Sequence, residues 1–250
     1  MKLTVLGSCG AWPAAGSACS GFLVEHDGFR LLLDAGYATF PKLLAYAEPQ
    51  DIDAVLITHG HPDHCADLNP LLRARRLADR PALKLPVHAL PHALDAVLAL
   101  DRPGMLEDAY QLHEIEPSDR AAFEAGPFRV QTRLLPHWEP NVGFRLTAGE
   151  RTLVYTGDTG PDRAVVELAE AADLLIAEAT YPEPQDVPTD SAAFLTSAHQ
   201  AAVQASQAAV GELLLTHMWP GADAQRAVAA ASSAFGAPVD IAAEGLVRIL

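Results

Sequence analysis

The sequence predicts a layered α/β fold with mixed β-structure. Three observations support this prediction. Many apolar segments are short continuous aliphatic runs, which are typical of strands covered on both faces. Segments with helical periodicity fall between these runs through most of the chain. Two pairs of runs, around Val24 and Leu32 and around Phe144 and Leu153, are close enough in sequence to form hairpins, which adds antiparallel pairs to the sheet.

The same patterns place the individual elements along the chain. We expect strands at residues 3–6, 21–25, 30–34, 54–57, 87–89, 128–135, 143–147, 152–155, 174–177, 212–215 and 246–250. We expect helices at residues 40–47, 66–78, 91–100, 163–171, 197–209 and 222–235. Pro161 and Asp162 favour a helix start just after them. The proline-rich residues 181–190 read as a loop, and no linker interrupts the chain, so one domain spanning residues 1–250 is expected.

Composition narrows the function classes. The chain has 250 residues, half of them hydrophobic, which is enough for a sizeable core. Its formal charge of −15 argues against broad electrostatic binding of nucleic acid or anionic membrane. No apolar run approaches the roughly 20 residues that span a bilayer, and the N-terminus shows no signal-peptide pattern. With three cysteines and no disulfide framework, a cytoplasmic location is expected.

Candidate ligands follow the ends of four apolar runs. They are His59, His61, Asp63 and His64 after the run DAVLI, and His137, Asp158 and His217 after three later runs. In layered α/β folds the carboxyl ends of strands are where sites are built. A single histidine after a strand is commonly a surface or core residue, but four nitrogen and oxygen donors within six residues are unusual for a solvated loop.

Imidazole and carboxylate groups in this number point to metal chemistry. They suit zinc, manganese or iron. Two histidines spaced by one residue, followed by an Asp-His pair, can be divided between two adjacent ions, and a carboxylate can bridge the ions. Such paired ions hold a hydroxide and stabilise both oxygens of a displacement reaction. The pattern therefore predicts a hydrolase.

The motif HGHPDH, residues 59–64, resembles the H-x-H-x-D-H signature of the metallo-β-lactamase fold superfamily. The later segments TGDT and LLLTHM resemble its bridging-aspartate and final-histidine motifs. The resemblance implies a four-layer αββα sandwich of two mixed β-sheets flanked by helices. It also implies one ion bound by His59, His61 and His137, a second by Asp63, His64 and His217, and Asp158 as the bridge. Asp63 would in addition accept a proton from the attacking water.

Within that superfamily, the chain is most similar to the tRNase Z-like phosphodiesterase branch. The N-terminal Gly/Ser/Pro loop, the aspartate within the motif and the segments AEATY and SAHQAA carry this similarity. It implies that Glu178 orients His199 and that His199 assists the leaving oxygen of the scissile phosphate. The alternative is an ordinary helix-start histidine and a buried salt link.

Two further features have open interpretations. The loop at residues 7–21 has two interpretations. It binds a phosphate through Ser8, Ser17, Ser20 or its backbone amides, or it is a plain connection between strands. Trp12 and Trp138 stack on a base or line the cleft, although core packing is equally consistent with the sequence.

The chain lacks the long basic arm by which tRNA-processing members grip their substrate. This absence and the acidic charge favour a small phosphodiester, such as a cyclic nucleotide, over tRNA. The alternatives are a ribonuclease Z-type tRNA endonuclease, a lactone or thioester hydrolase on the same scaffold, and a metal-stabilised binding module without turnover. Two divalent ions, zinc first with manganese or iron next, are the expected cofactors. The partner is then a small substrate rather than a membrane, and a homodimer is compatible with the sequence.

Overall fold

The computed structural model describes residues 1–79, 82–118 and 120–250. Its strands are β1 (Lys2–Gly7), β2 (Gly21–His26), β3 (Phe29–Leu33), β4 (Ala54–Leu56), β5 (Leu85–Ala89), β6 (Tyr110–Glu114), β7 (Ala122–Ala125), β8 (Phe128–Leu135), β9 (Asn141–Ala148), β10 (Arg151–Tyr155), β11 (Leu174–Glu178), β12 (Glu212–Thr216), β13 (Val239–Ile241) and β14 (Val247–Ile249). Its α-helices are α1 (Thr39–Leu43), α2 (Pro62–Cys65), α3 (Leu68–Leu77), α4 (Asp95–Leu98), α5 (Arg163–Leu168), α6 (Ala198–Gln207) and α7 (Ala224–Ser232).

The chain divides into two compact units. The first comprises Met1–Glu116 and Ala243–Ile249, and the second comprises Pro117–Ala242 and Leu250. Each unit contains one seven-stranded sheet, ordered β14-β1-β2-β3-β4-β5-β6 in the first and β13-β12-β11-β10-β9-β8-β7 in the second. The predicted class, two mixed sheets flanked by helices, is confirmed. The single-domain assignment of residues 1–250 remains a prediction.

In the first unit, β3, β4, β5 and β6 run parallel and the remaining neighbours are antiparallel. The three residues of β4 are fully buried, as expected for a central parallel strand with both faces covered. Aliphatic side chains of α3 pack on this sheet within one continuous core. The carboxyl end of β4 therefore lies on a rigid, buried edge.

The second unit also combines parallel and antiparallel strands in one sheet. Strands β10, β11, β12 and β13 are parallel, and β7, β8, β9 and β10 are linked by antiparallel pairs. The alanine-rich face of α6 packs on β11 and β12, and α7 packs on α6 and β13. Small side chains let these helices lie close to the sheet, which fixes the carboxyl ends of its parallel strands.

The sequence patterns missed three strands and misjudged two helices. Strands β6, β7 and β13 lie at sheet edges and are largely exposed, so they carry no aliphatic run. The helix expected at residues 66–78 is α3, preceded by the separate turn α2, and Asp67 at the junction accepts a hydrogen bond from the Phe40 amide. The helix expected at residues 91–100 is reduced to the single turn α4.

Candidate metal centre

Four of the predicted ligands follow β4 in the first unit. His59 comes three residues after the strand ends and is fully buried. His61 is extended and half-buried, and Pro62 after it starts α2, a position where proline suits a helix. The single turn of α2 then holds Asp63 and His64, both buried. The loop and the short helix α2 thus keep four polar side chains near the carboxyl end of β4.

Within each of two pairs in this group, the donor atoms are as far apart as two ligands of the same ion. His59 Nε2 lies 3.0 Å from His61 Nδ1, and His64 Nε2 lies 3.5 Å from Asp63 Oδ2. Two ligands on one tetrahedral zinc ion lie about 3.4 Å apart, given Zn–N bonds of about 2.0–2.1 Å. Imidazole nitrogens and a carboxylate oxygen are also the donors that zinc accepts. The residues present therefore fit divalent metal binding.

A buried carboxylate that the sequence analysis missed supports these histidines. Asp34 Oδ2 lies 2.7 Å from His64 Nδ1, so that ring nitrogen donates to the carboxylate. The Thr58 hydroxyl donates to Asp34 and lies 3.1 Å from His59 Nδ1, from which it accepts. Both rings consequently carry their proton on Nδ1 and present Nε2 as the ligand atom. Asp34 follows the run LLL at the end of β3, the same signal that identified the other ligands.

The N-terminal loop contacts Asp63. The Ala11 amide donates a 2.7 Å hydrogen bond to Asp63 Oδ2, and the Ser20 amide donates to the Asp63 backbone oxygen. Gly36 lies against the same backbone oxygen, where an added Cβ would be only 1.8 Å away. The loop at residues 7–21 thus positions Asp63. Whether the loop also binds phosphate remains a prediction.

Three of the predicted ligands follow strands of the second unit. His137 lies two residues after β8, Asp158 three residues after β10, and His217 directly after β12 with a left-handed φ of 64°. Asp158 Oδ2 lies 3.1 Å from His217 Nε2 and 3.7 Å from His137 Nε2. One carboxylate oxygen therefore faces two imidazole nitrogens, and the side chains are almost fully buried.

These histidines are also held through Nδ1. His137 Nδ1 donates to the backbone oxygen of Phe194 at 3.0 Å. His217 Nδ1 lies 3.1 Å from the Thr180 hydroxyl, which donates in turn to Glu178 Oε1 at 2.7 Å. As in the first unit, a threonine hydroxyl links an imidazole to a buried carboxylate, and Nε2 is left to face the ligand cluster.

The hydrogen bonds described for Glu178 go to residues other than His199, so the pairing of these two side chains stays a prediction. The Glu178 carboxylate accepts hydrogen bonds from the Thr159 amide and the Thr180 hydroxyl. Burial, and then the charge of Asp158, raises the pKa of Glu178 to about 8. The carboxylate lies at the buried end of β11, so it interacts with its neighbouring loops. His199 is half-buried in the first turn of α6, where its amide donates to the Pro182 oxygen.

A cavity of about 740 Å³ lies elsewhere in the second unit, against β8, β9 and α5. None of its lining residues is a predicted ligand. Its guanidinium groups already bind protein acceptors: Arg133 and Arg163 bind Glu167, and Arg145 binds the backbone oxygens of Leu168 and Glu170. We therefore interpret the arginines around this cavity as a structural ion-pair cluster, and we take the histidine cluster as the candidate functional site.

Comparison with known proteins identifies relatives over the whole chain. Residues 29–218 match the family model described as the beta-lactamase superfamily domain. The probable metallo-hydrolase YhfI of Bacillus subtilis is 33% identical over 250 residues, covering 99% of each chain. A crystal structure of the metallo-beta-lactamase fold protein YhfI from that organism matches with a TM-score of 0.90 and 30% identity, over 99% of this chain and 98% of that one. Ribonuclease Z of Haloferax volcanii is 28% identical over 270 residues, covering 87% of this chain and 84% of that protein.

Among the described residues, no helix combines the length and the apolar character that crossing a bilayer requires.

Proposed function

The chain belongs to the beta-lactamase superfamily and is related to its metallo-hydrolases, and from this premise we propose that it is a two-metal phosphodiesterase acting on a small phosphodiester. The observation that carries the proposal is the donor set. Four of its five imidazoles have their Nδ1 atoms held by protein groups, which leaves their Nε2 atoms at ligand-like distances from other donors. That arrangement is typical of metal ligands, whose outer hydrogen bonds fix the tautomer and the ring orientation.

We propose one ligand set for each ion. His59, His61, His137 and Asp158 hold the first ion, and Asp63, His64, His217 and Asp158 hold the second. Asp158 belongs to both sets and would be shared between the two ions. With nitrogen and oxygen donors and no thiolate in either set, zinc fits first, and manganese or iron fits next.

The protein's own groups then divide the work of hydrolysis. When bound, the ions supply the chemistry of lowering the pKa of water to about 7 and of stabilising charge on the phosphate. Asp63, held at Oδ2 by the Ala11 amide, accepts a proton from the attacking water. Glu178 keeps His217 in place through Thr180. His199, in the first turn of a ten-residue helix, assists the departing alkoxide.

A phosphodiester is favoured over a carbonyl ester because one of the relatives is named a ribonuclease. A small diester is favoured over tRNA because the chain carries a charge of −15 and shows no long basic insertion between its ligand motifs. A ribonuclease Z-type activity is the second candidate, and the same relative favours it.

A substrate panel tests the proposal. Zinc-loaded protein is assayed with bis(p-nitrophenyl) phosphate, cyclic AMP, a precursor tRNA, a lactone and a thioester. We expect turnover of the two small diesters, and loss of that turnover in Asp158→Ala but not in the control Asp108→Ala, whose side chain is exposed and only weakly paired with Lys84. Cleavage of the tRNA alone supports the second candidate. Turnover of the lactone or thioester without any diester contradicts the proposal, as does metal binding without turnover of any substrate.

A further inference from the structure

Two pairs of aromatic side chains adjoin metal ligands of the second unit, and the proposed reaction leaves both pairs without a role. The first pair is Trp138 and Phe194, with ring centroids 5.3 Å apart. The second pair is Tyr181 and Trp219, with ring centroids 5.4 Å apart. In each pair the rings are tilted, and the indole is partly open to solvent.

The first pair is fixed to His137 from two sides. Trp138 is the next residue in the chain, and its ring lies edge-on to the imidazole at 5.2 Å. Phe194 supplies the backbone oxygen to which His137 Nδ1 donates. The indole therefore lies in contact with a proposed metal ligand, and the aromatic pair is anchored to that ligand at two points.

The second pair is fixed to His217 in the same way. Trp219 follows the ligand by two residues, after the left-handed turn at His217. Tyr181 follows Thr180, whose hydroxyl bonds His217 Nδ1, and the Tyr181 backbone oxygen accepts from the amide of Ala198. Both rings therefore rest on backbone that the ligand cluster already holds in place.

Core packing does not account for the two indoles. Trp138 is 52% exposed and Trp219 is 37% exposed, and neither belongs to the hydrophobic core of this unit. Tryptophan is usually highly buried because its large apolar area makes exposure unfavourable. Partly exposed aromatic rings beside the proposed phosphodiesterase centre suit a flat heterocycle, since a base stacks on an aromatic face whatever its hydrogen-bonding edge.

We infer that Trp138 and Trp219, each supported by its aromatic neighbour, form stacking surfaces for the base of the substrate, so that the substrate class is a nucleotide. This inference rests on the proposed function and narrows it. In a nucleotide only a ribose separates the base from the phosphate. A ring one or two residues from a metal ligand is therefore suitably placed to stack on that base while the phosphate reaches the ligands.

The first experiment compares substrates with and without a base. The kcat/KM values for cyclic AMP and for the base-free ribose 3′,5′-cyclic phosphate are measured with zinc-loaded wild type, Trp138→Ala, Trp219→Ala and the conservative Trp138→Phe and Trp219→Phe. We expect at least one alanine variant to lose roughly 5- to 150-fold on cyclic AMP, mainly through KM, the range that one stacked base contributes. The base-free diester should be unaffected, and phenylalanine should restore most of the loss. The exposed Tyr46→Ala, in the first unit, is the matched control.

Equal losses on both diesters, or no loss on either in both alanine variants, would overturn the inference while leaving the phosphodiesterase intact. If wild type cleaves neither diester, the proposed function fails, and binding decides the inference instead. Tryptophan fluorescence of the zinc-loaded protein is then titrated with AMP and with ribose 5-phosphate. Quenching by AMP but not by ribose 5-phosphate, with less quenching in one of the alanine variants, supports a base site. Equal responses to the two compounds contradict a base site.

Discussion

The Oδ2 atom of Asp34 lies 2.7 Å from Nδ1 of His64, and both side chains are fully inaccessible to solvent. The bond leaves His64 Nε2 directed away from Asp34 and toward Asp63, as a metal ligand requires. Asp34 reaches this position in a left-handed backbone conformation, with φ of 55°. Aspartate and asparagine tolerate that conformation better than most residues.

Asp34→Asn should weaken metal binding while preserving the fold. Asparagine tolerates the same φ angle and keeps an oxygen that accepts from Thr58. Its NH2 group, however, would face the N–H at Nδ1 of His64, or would force that proton to move to Nε2. We expect zinc affinity to fall roughly 10- to 100-fold, the usual effect of losing such a partner. Competition with a chromophoric chelator measures this change. Asp53→Asn, which alters a carboxylate bound to the Arg30 amide, is the control, and equal affinities in the two variants would contradict the role of Asp34.

Thr180→Val should break the link between Glu178 and His217, and Thr180→Ser should retain it. Valine matches threonine in shape but removes the hydroxyl that joins the two groups. Two buried polar groups then lose a partner, so we expect about 1–3 kcal/mol of destabilisation. Bound zinc should fall as well. Urea unfolding and metal analysis of both variants test this, and a serine variant as damaged as the valine variant would show that the methyl group matters instead.

Gly36→Ala should disrupt the position of Asp63. The new Cβ would lie 1.8 Å from the Asp63 backbone oxygen and 2.9 Å from Cys19 Cβ, so backbone has to move. Overpacking of this kind costs about 1–3 kcal/mol or more, and it should reduce zinc binding because Asp63 is a proposed ligand. Gly236→Ala meets no atom within 4 Å and should be nearly neutral. Normal zinc content in Gly36→Ala would contradict the predicted displacement.

Protonation of His88 should lower the free energy of unfolding at acidic pH. Its ring stacks on His113 at 4.8 Å, and burial, together with His113, lowers the pKa of His88 to about 4. The unfolded chain binds the proton near pH 6.5, so the free energy of unfolding falls as the pH drops from 6.5 toward 4. Allowing for the partial exposure of the ring, the loss is about 1–2 kcal/mol.

Urea unfolding of wild type and His88→Gln at pH 7 and pH 4.5 measures this effect. The variant should lose less stability between the two pH values than wild type. His92→Asn changes an exposed histidine at a left-handed position and should show no such gain. Identical pH dependence in wild type and His88→Gln would refute the assignment.

Much of the candidate centre was accessible from sequence because strand ends carry a recognisable signal. A buried aliphatic run followed by histidine or aspartate located His59, His137, Asp158 and His217, and the structure places each just after a strand. Asp34 also follows an aliphatic run, in LLLDAG, but the strand expected at residues 30–34 includes it, so the pattern does not mark it as a strand-end ligand.

What sequence could not supply is the pairing of side chains over long separations. Thr180 and His217 are 37 residues apart, and no sequence pattern indicates that a threonine hydroxyl joins His217 to Glu178. The three missed strands fail for another reason. Edge strands such as β7 have one covered face and polar residues on the other, so their pattern resembles that of a loop.

Metal stoichiometry decides whether seven side chains hold two ions. The protein is stripped with a chelator, dialysed to equilibrium against a small excess of zinc, and analysed for zinc per chain by elemental analysis. We predict two zinc ions per chain for wild type, and at most one after His217→Ala. One ion or none in the wild type, or two ions in the variant, would contradict the proposed ligand sets.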